Sequence, residues 1–400
     1  MMPAGFLFTL NNGSSKKDVF AAICSCVEHG YYSTLVNPKW NRYSAAPLTS
    51  TLGDYINMKP GDNVYFFGKR RVYGIGEIVD AFGTGEGAFE VSKGSSSPEF
   101  VPAERAITTI NKPDRTERWA IIFKPSPLFF FDGIDMDDLL QSNPGAFRSL
   151  RTFQKKSFIQ FDDEENLALK SALIRMNEYY LQNAEAGKTG SMQCDWQSTV
   201  KKLSHCFNSG PGNPAPIDLT KLIASSSSEG SVNREMIVEI ALLDSLKHQK
   251  PDAVSAFGSW DYLAHQVAAS PFKPIDYMDR IDVFGYRWIP GYEGSIISKY
   301  LVVEIKKDAA RLNDSSVVKD YDQVMKYVDW VCANYAHGDY SMIEACLVAN
   351  SFDFSNTSLM EQSITRSYVT GHLAQSHTWT NLHFIEYRAH DNGTITFERM

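Results

Sequence analysis

Residues 300–307 read YLVVEIKK, a run apolar enough for a central β-strand yet carrying a carboxylate and an ammonium two positions apart. Successive side chains of a strand face opposite ways, so Leu301, Val303 and Ile305 share one face and Val302, Glu304 and Lys306 the other. An acid and a base buried there are costly unless they pair or bind something. Upstream, residues 280–284 (RIDVF) predict a second strand with a single acid at its centre, Asp282, 22 residues before Glu304. Gly285 and the segment 289–294 (IPGYEG) supply a loop through which the two strands can pair as a hairpin, making Asp282 and Glu304 neighbours. Adjacent carboxylates repel, and one pKa rises unless a divalent cation compensates their charge. Oxygen ligands with room for water and a substrate phosphate suit Mg²⁺ or Mn²⁺. Beside such an ion Lys306 could orient or help deprotonate an attacking water, or stabilise charge on phosphorus, which is the chemistry of phosphodiester hydrolysis. The plainer alternative is an Asp282 or Glu304 ion-paired with Lys306 in a half-exposed sheet.

The elements around these residues sharpen the choice. A helix is predicted over 233–248, and at about 100° per residue Glu239 falls inside its apolar arc, between Leu246 and Leu243 with Met236 and Leu242 flanking. An acid belongs there only with a partner. Glu235, in the first turn, is explained by the helix dipole alone. After the strand at 299–307 a helix over 317–335 carries Val317, Val324, Val328 and Val331 as a core stripe, with Gln323, Tyr327, Trp330 and Asn334 beside it. That second stripe either packs on another layer or turns Gln323 and Tyr327 toward the metal site and a DNA backbone. A strand over 341–351, a helical stretch and a closing hairpin around Asp391-Asn392-Gly393 complete the region. The fold class expected for it is α/β, a mixed central sheet flanked by helices.

A helix Glu, then Asp, then E-x-K, then a helix with Gln and Tyr four apart resembles the PD-(D/E)xK nuclease superfamily, in an arrangement much like its RecB and NucS branches. The resemblance covers residues 231 to about 350 and implies a restriction-endonuclease-like domain. Asp282, Glu304 and Lys306 would form its core site, Glu239 an additional metal ligand, and Gln323 with Tyr327 the pair that follows the motif. Arg280-Ile281 stands where the superfamily's proline would precede Asp282. A variable domain ahead of such a nuclease also resembles Shedu-type and restriction-type antiphage proteins.

The N-terminal half reads as short strands. Residues 63–67 and 73–79 flank Gly68-Lys69-Arg70-Arg71 as a hairpin with a four-residue turn, 119–124 is another strand, and 162–181 carries Leu167, Leu169, Leu173, Ile174 and Met176 at helical spacing as a closing helix. An α+β domain with a small barrel-like sheet follows. Its KPGDNVYFF and YGIGEIV segments look like the hairpin of EVE and other PUA-like domains, where a Gly-Asp turn enters a strand and a Gly-x-Gly strand returns. That resemblance implies nucleic-acid recognition, with some members flipping a base into an aromatic pocket. Trp40 and Tyr32 are the aromatics set forward for such a pocket, although most aromatics serve a core, and the run 128–131 is most simply a buried strand.

With 400 residues the chain has room for two or three domains, divided as 1–183, a Gly-, Pro- and Ser-rich linker with a short helix over 184–230, and 231–400. A composition 43% hydrophobic and 22% charged is that of a globular protein. The net charge of −8 means that DNA contacts must be local, at Lys69, Arg70 and Arg71 or at Lys306 and Lys307, clusters that ordinarily are solvated faces. Six cysteines lack zinc spacing and read as reduced thiols. Neither a membrane span nor a signal peptide is recognisable, so a cytoplasmic protein with no membrane partner is expected. The expected activity is that of a Mg²⁺-dependent DNA endonuclease in antiphage defence or modification-dependent restriction, working as a homo-oligomer, dimer or tetramer. A repair nuclease for mismatched, branched or free-ended DNA, and a non-catalytic DNA-binding or oligomerisation module, are the alternatives.

Overall fold

A computed structural model describes residues 3–10, 16–36, 46–93, 99–100, 116–152, 158–183, 190–208, 216–271, 278–292, 296–310, 312, 320–354 and 358–400. Two compact units result, Met1–Asp218 and Leu219–Met400. The helix Trp196–Asn208 packs on Lys16–His29 within the first unit, and the helix Thr220–Ser226 packs on Glu235–Lys247 within the second. The expected linker over 184–230 is therefore divided between the units, with the boundary at Asp218 rather than at 183 and 231.

In the first unit a curled half-barrel sheet runs Phe158–Phe161, Gly5–Thr9, Asn63–Gly68, Arg71–Ile78, Thr116–Pro125, Tyr31–Val36. The pair Gly5–Thr9 and Asn63–Gly68 is parallel and the other neighbours are antiparallel. Period two divides its interior. Leu7, Tyr65, Ile159 and Phe161 pack with Leu169 and Leu173 of the helix Asp163–Met176, while Phe8, Phe66 and Phe158 pack with Tyr32 and Tyr55. The Gly-Asp turn is a structural lock: Gly61 has φ +95°, and Asp62 is buried, accepting from Ala4 N at 3.0 Å and Lys59 N at 2.9 Å.

Several expectations need correction here. The hairpin turn has two residues, not four: Gly68 pairs with Arg71, and Lys69 and Arg70 take φ of 48° and 69°, the left-handed conformation that a tight turn between twisted strands demands. The closing helix ends at Met176, with the short helix Glu178–Gln182 beyond Asn177, and of its supposed apolar stripe Leu167 and Met176 are exposed. Phe129 and Phe130 are buried outside any named strand, and Phe131 is exposed. Among the described residues no helix is long and apolar enough to cross a membrane.

The second unit is built on a mixed sheet of six strands, ordered Tyr262–Ala268, Arg280–Trp288, Ile297–Ile305, Ile343–Ala349, Leu382–Ala389, Ile395–Arg399. Each of the first three is antiparallel to the next, Ile343–Ala349 lies parallel to both of its neighbours, and the last pair is the closing hairpin, with Gly393 at φ +78° in its turn. The connection between the parallel strands Ile297–Ile305 and Ile343–Ala349 contains the helix Asp320–Asn334, which packs on both of them. Helix Glu235–Lys247 lies against the antiparallel strands. Elements not foreseen include the helix Pro251–Phe257, the strand Tyr262–Ala268, and a hairpin Arg366–Thr370 with Gln375–Trp379 after the short helix Ser358–Ile364. Val317 and Trp40 lie outside the described residues.

Candidate active site

The strand Ile297–Ile305 is central because every side chain from Tyr300 to Ile305 is buried, and a strand paired on both edges leaves no main-chain group without a partner. Its antiparallel ladder with Arg280–Trp288 reaches the rung Val283–Val303. One step further Asp282 stands opposite Glu304, and there the Asp282 carboxylate crosses to the neighbouring strand, Oδ2 accepting from Ile305 N at 2.8 Å. On the other edge the parallel ladder continues, Lys306 N donating to Val348 O at 2.8 Å. The hairpin expected from the sequence thus brings Asp282, Glu304 and Lys306 to one end of the sheet.

Glu304 is 2% exposed. Its Oε1 accepts from Lys306 Nζ at 2.5 Å, whereas Oε2 is buried without a hydrogen-bond partner. An orphaned carboxylate oxygen is expensive in a protein interior, since the desolvation is not returned by any donor. Burial pushes the Glu304 carboxyl up to about 7 against the opposing pull of Lys306. Asp282 is raised well above the usual carboxylate range, by burial first and then by the charges of Glu304 and Glu239. For Lys306, burial pulls the ammonium down, but Glu304 and then Glu235 outweigh it, and the net shift is upward. Lys306 Nζ also donates to Gln323 Oε1 at 3.0 Å, and Gln323 Nε2 donates to the Tyr327 hydroxyl at 2.9 Å. One turn of the helix Asp320–Asn334 therefore holds the lysine.

Tyr327, expected to face the metal site and a DNA backbone, is 2% exposed, and its hydroxyl accepts from Gln323. Glu239 is 1% exposed and has the partners its place in an apolar arc requires, though neither was foreseen. Oε1 bonds with His265 Nδ1 at 2.9 Å and Oε2 accepts from Gln266 Nε2 at 3.1 Å. Gln266 Nε2 reaches Asp282 Oδ1 as well, at 3.1 Å. Both oxygens of Glu239 are therefore engaged, and the expected trio of ligands Asp282, Glu304 and Glu239 is not the open group. Among the described residues no three His, Cys, Asp or Glu side chains gather closely enough to hold an ion together. What is available is Asp282 beside Glu304 with its open Oε2, a set of hard oxygens that suits a cation able to retain water as Mg²⁺ does. Glu235, exposed in the first helical turn, also lends its charge to the site, acting on both Glu304 and Lys306.

The other expected contact residues are dispersed. Lys307 is half-exposed and pairs with Asp308 at 3.1 Å. In the first unit Lys69, Arg70 and Arg71 are exposed at the hairpin tip, Arg70 pairing with Asp137 at 2.5 Å and Arg71 donating to Gly133 O at 3.0 Å. Tyr32, set forward for a base pocket, is a core residue, its ring 4.6 Å from Phe8 and 5.9 Å from both Phe66 and Phe158. Among the described residues, Cys24, Cys26, Cys194, Cys332 and Cys346 form no disulfide. No protein-family model and no curated protein matches the chain.

Proposed function

We propose that the second unit is a divalent-cation-dependent DNA endonuclease, and that the first recognises a feature of nucleic acid in antiphage defence or modification-dependent restriction. The observation that carries the reading is the buried, unpartnered Oε2 of Glu304 beside a second carboxylate, with a lysine tied to the same strand. Asp282 and Glu304 would hold Mg²⁺, which supplies Lewis acidity toward a phosphodiester oxygen. Lys306, its pKa raised, stays protonated at neutral pH and stabilises negative charge gathering on the phosphoryl oxygens rather than acting as a base. Gln323 points Nζ through its Oε1, and Tyr327 keeps the amide from turning. Ile305 N holds Asp282 in place through Oδ2.

The test is cleavage of supercoiled plasmid and end-labelled linear DNA in Mg²⁺ by the wild type, Asp282→Asn and Lys306→Ala. Each substitution should cost at least ~10²-fold in rate, the scale on which loss of one preorganised charge-stabilising group acts. Chelation of the cation should stop cutting altogether. Equal cutting by the wild type and both variants refutes the assignment.

A further inference from the structure

Gln266 sits in the middle of the strand Tyr262–Ala268 with φ 52°, in the left-handed region. The ladder beside it keeps its step, His265 pairing with Val283 and Val267 with Ile281, so no residue has been inserted. Adjacent residues of a regular strand face opposite ways. Here His265 and Gln266 both reach Glu239, one on each carboxylate oxygen. The backbone excursion makes this possible, and for a residue with a Cβ it is strained. Such strain persists where surrounding contacts hold it, and it concentrates at functional sites.

An amide NH₂ carries two hydrogens and no negative charge. That of Gln266 has two carboxylates to serve, Glu239 Oε2 and Asp282 Oδ1, each at 3.1 Å. Its partial positive charge thus lies between two acids that otherwise repel, a location that in a carboxylate site would suit a bridging cation. On the far side of Asp282, Glu304 presents a buried oxygen that takes no hydrogen from an amide, a hydroxyl or an ammonium, and the group beside it is the Asp282 carboxyl. One flank of Asp282 is closed by a side chain and the other is open.

We propose that the Gln266 amide takes the place of a second cation between Glu239 and Asp282, so that the site loads one divalent ion, on Asp282 and Glu304. Glu239 is then the anchor of Gln266, fixed in turn by His265, and not a ligand. The inference rests on the metal-site reading above and adds its stoichiometry.

The test counts Mn²⁺ ions bound by the metal-free full-length chain, by titration calorimetry and by the electron paramagnetic resonance of unbound Mn²⁺. Asp282→Asn provides the background to be subtracted. The wild type should bind one ion above that background. Gln266→Glu, which puts a carboxylate in place of the amide, should bind two, and Gln266→Ala, which removes the amide without adding charge, should admit a second ion ~10-fold more weakly than Gln266→Glu, since ligand charge sets affinity. If Gln266→Glu fails to fold by circular dichroism, Gln266→Ala decides. Two ions in the wild type, or one in every folded variant, overturns the inference while leaving the nuclease reading to the cleavage assay. No Mn²⁺ above background in the wild type overturns both.

Discussion

The raised carboxyl of Glu304 makes the stability of the second unit depend on pH and on divalent cations together. In the unfolded chain this group has its usual pKa of 4.5, and in the metal-free fold it is pushed to about 7. Below both values the carboxyl is protonated in either state and contributes nothing. Between them the unfolded chain releases a proton that the fold retains, so stability falls as pH rises, and above about 7 the loss is complete. The difference corresponds to about 3 kcal/mol, an upper bound because the neighbouring Asp282 carboxyl titrates with it. Asp282, shifted in the same direction, adds to the loss. For a unit of this size the melting temperature of metal-free protein should fall by roughly 5–10 °C between pH 5 and pH 8. A divalent cation that favours both ionised carboxylates should restore most of that at pH 8 and little at pH 5. Differential scanning calorimetry of the full chain with and without Ca²⁺ or Mg²⁺ reads this directly, and Glu304→Gln identifies the transition, since it should flatten the pH dependence and remove most of the cation effect. A cation shift of equal size at pH 5 and pH 8, or a pH slope unchanged in Glu304→Gln, would refute the reasoning.

Two further outcomes follow from particular contacts. Tyr327→Phe keeps the buried ring and removes only the oxygen that holds Gln323, so the melting temperature should move little while the cleavage rate falls ~10-fold, in line with about 1 kcal/mol for a hydrogen bond of this kind; an unchanged rate would free Gln323 of any role in orienting Lys306. In the first unit, Lys69→Asn with Arg70→Gly places at each left-handed turn position a residue that favours it, and should stabilise that unit by about 1 kcal/mol, because the exposed Arg70–Asp137 pair it removes is worth little. The same double variant should bind DNA more weakly in a gel-shift assay, and undiminished binding would remove the hairpin tip from the interface.

What could be read from the sequence follows from which signals are local. Asp282 and E-x-K were legible because an acid inside an apolar strand breaks a period-two pattern that needs only five or six residues to establish. The wheel position of Glu239 showed that the acid needed a partner but could not name one, since His265 lies 26 residues on, in a strand that was not recognised. That strand escaped notice because its polar pair, His265-Gln266, interrupts the alternation at its middle, and the interruption is the same left-handed residue that makes the pair useful. The wheel of the helix Asp320–Asn334 separated two stripes but could not say whether the second packs on another layer or faces the site: Tyr327 of that stripe is buried, while Asn334 is exposed. In the first unit the strands flanking the tight turn were legible and the length of the turn was not, because Lys and Arg do not advertise a left-handed backbone as Asn-Gly does.

The order in which the central sheet is threaded has a consequence for the chain during its synthesis. Asp282, Glu304 and Lys306 are made early in the second unit, but the strand on the outer edge of theirs, Ile343–Ala349, and the helix that aims the lysine come later. Until residue 349 has left the ribosome, the Glu304 strand is an edge and Lys306 N lacks its rung on Val348. A nascent chain cannot complete this constellation until residue 349 has emerged.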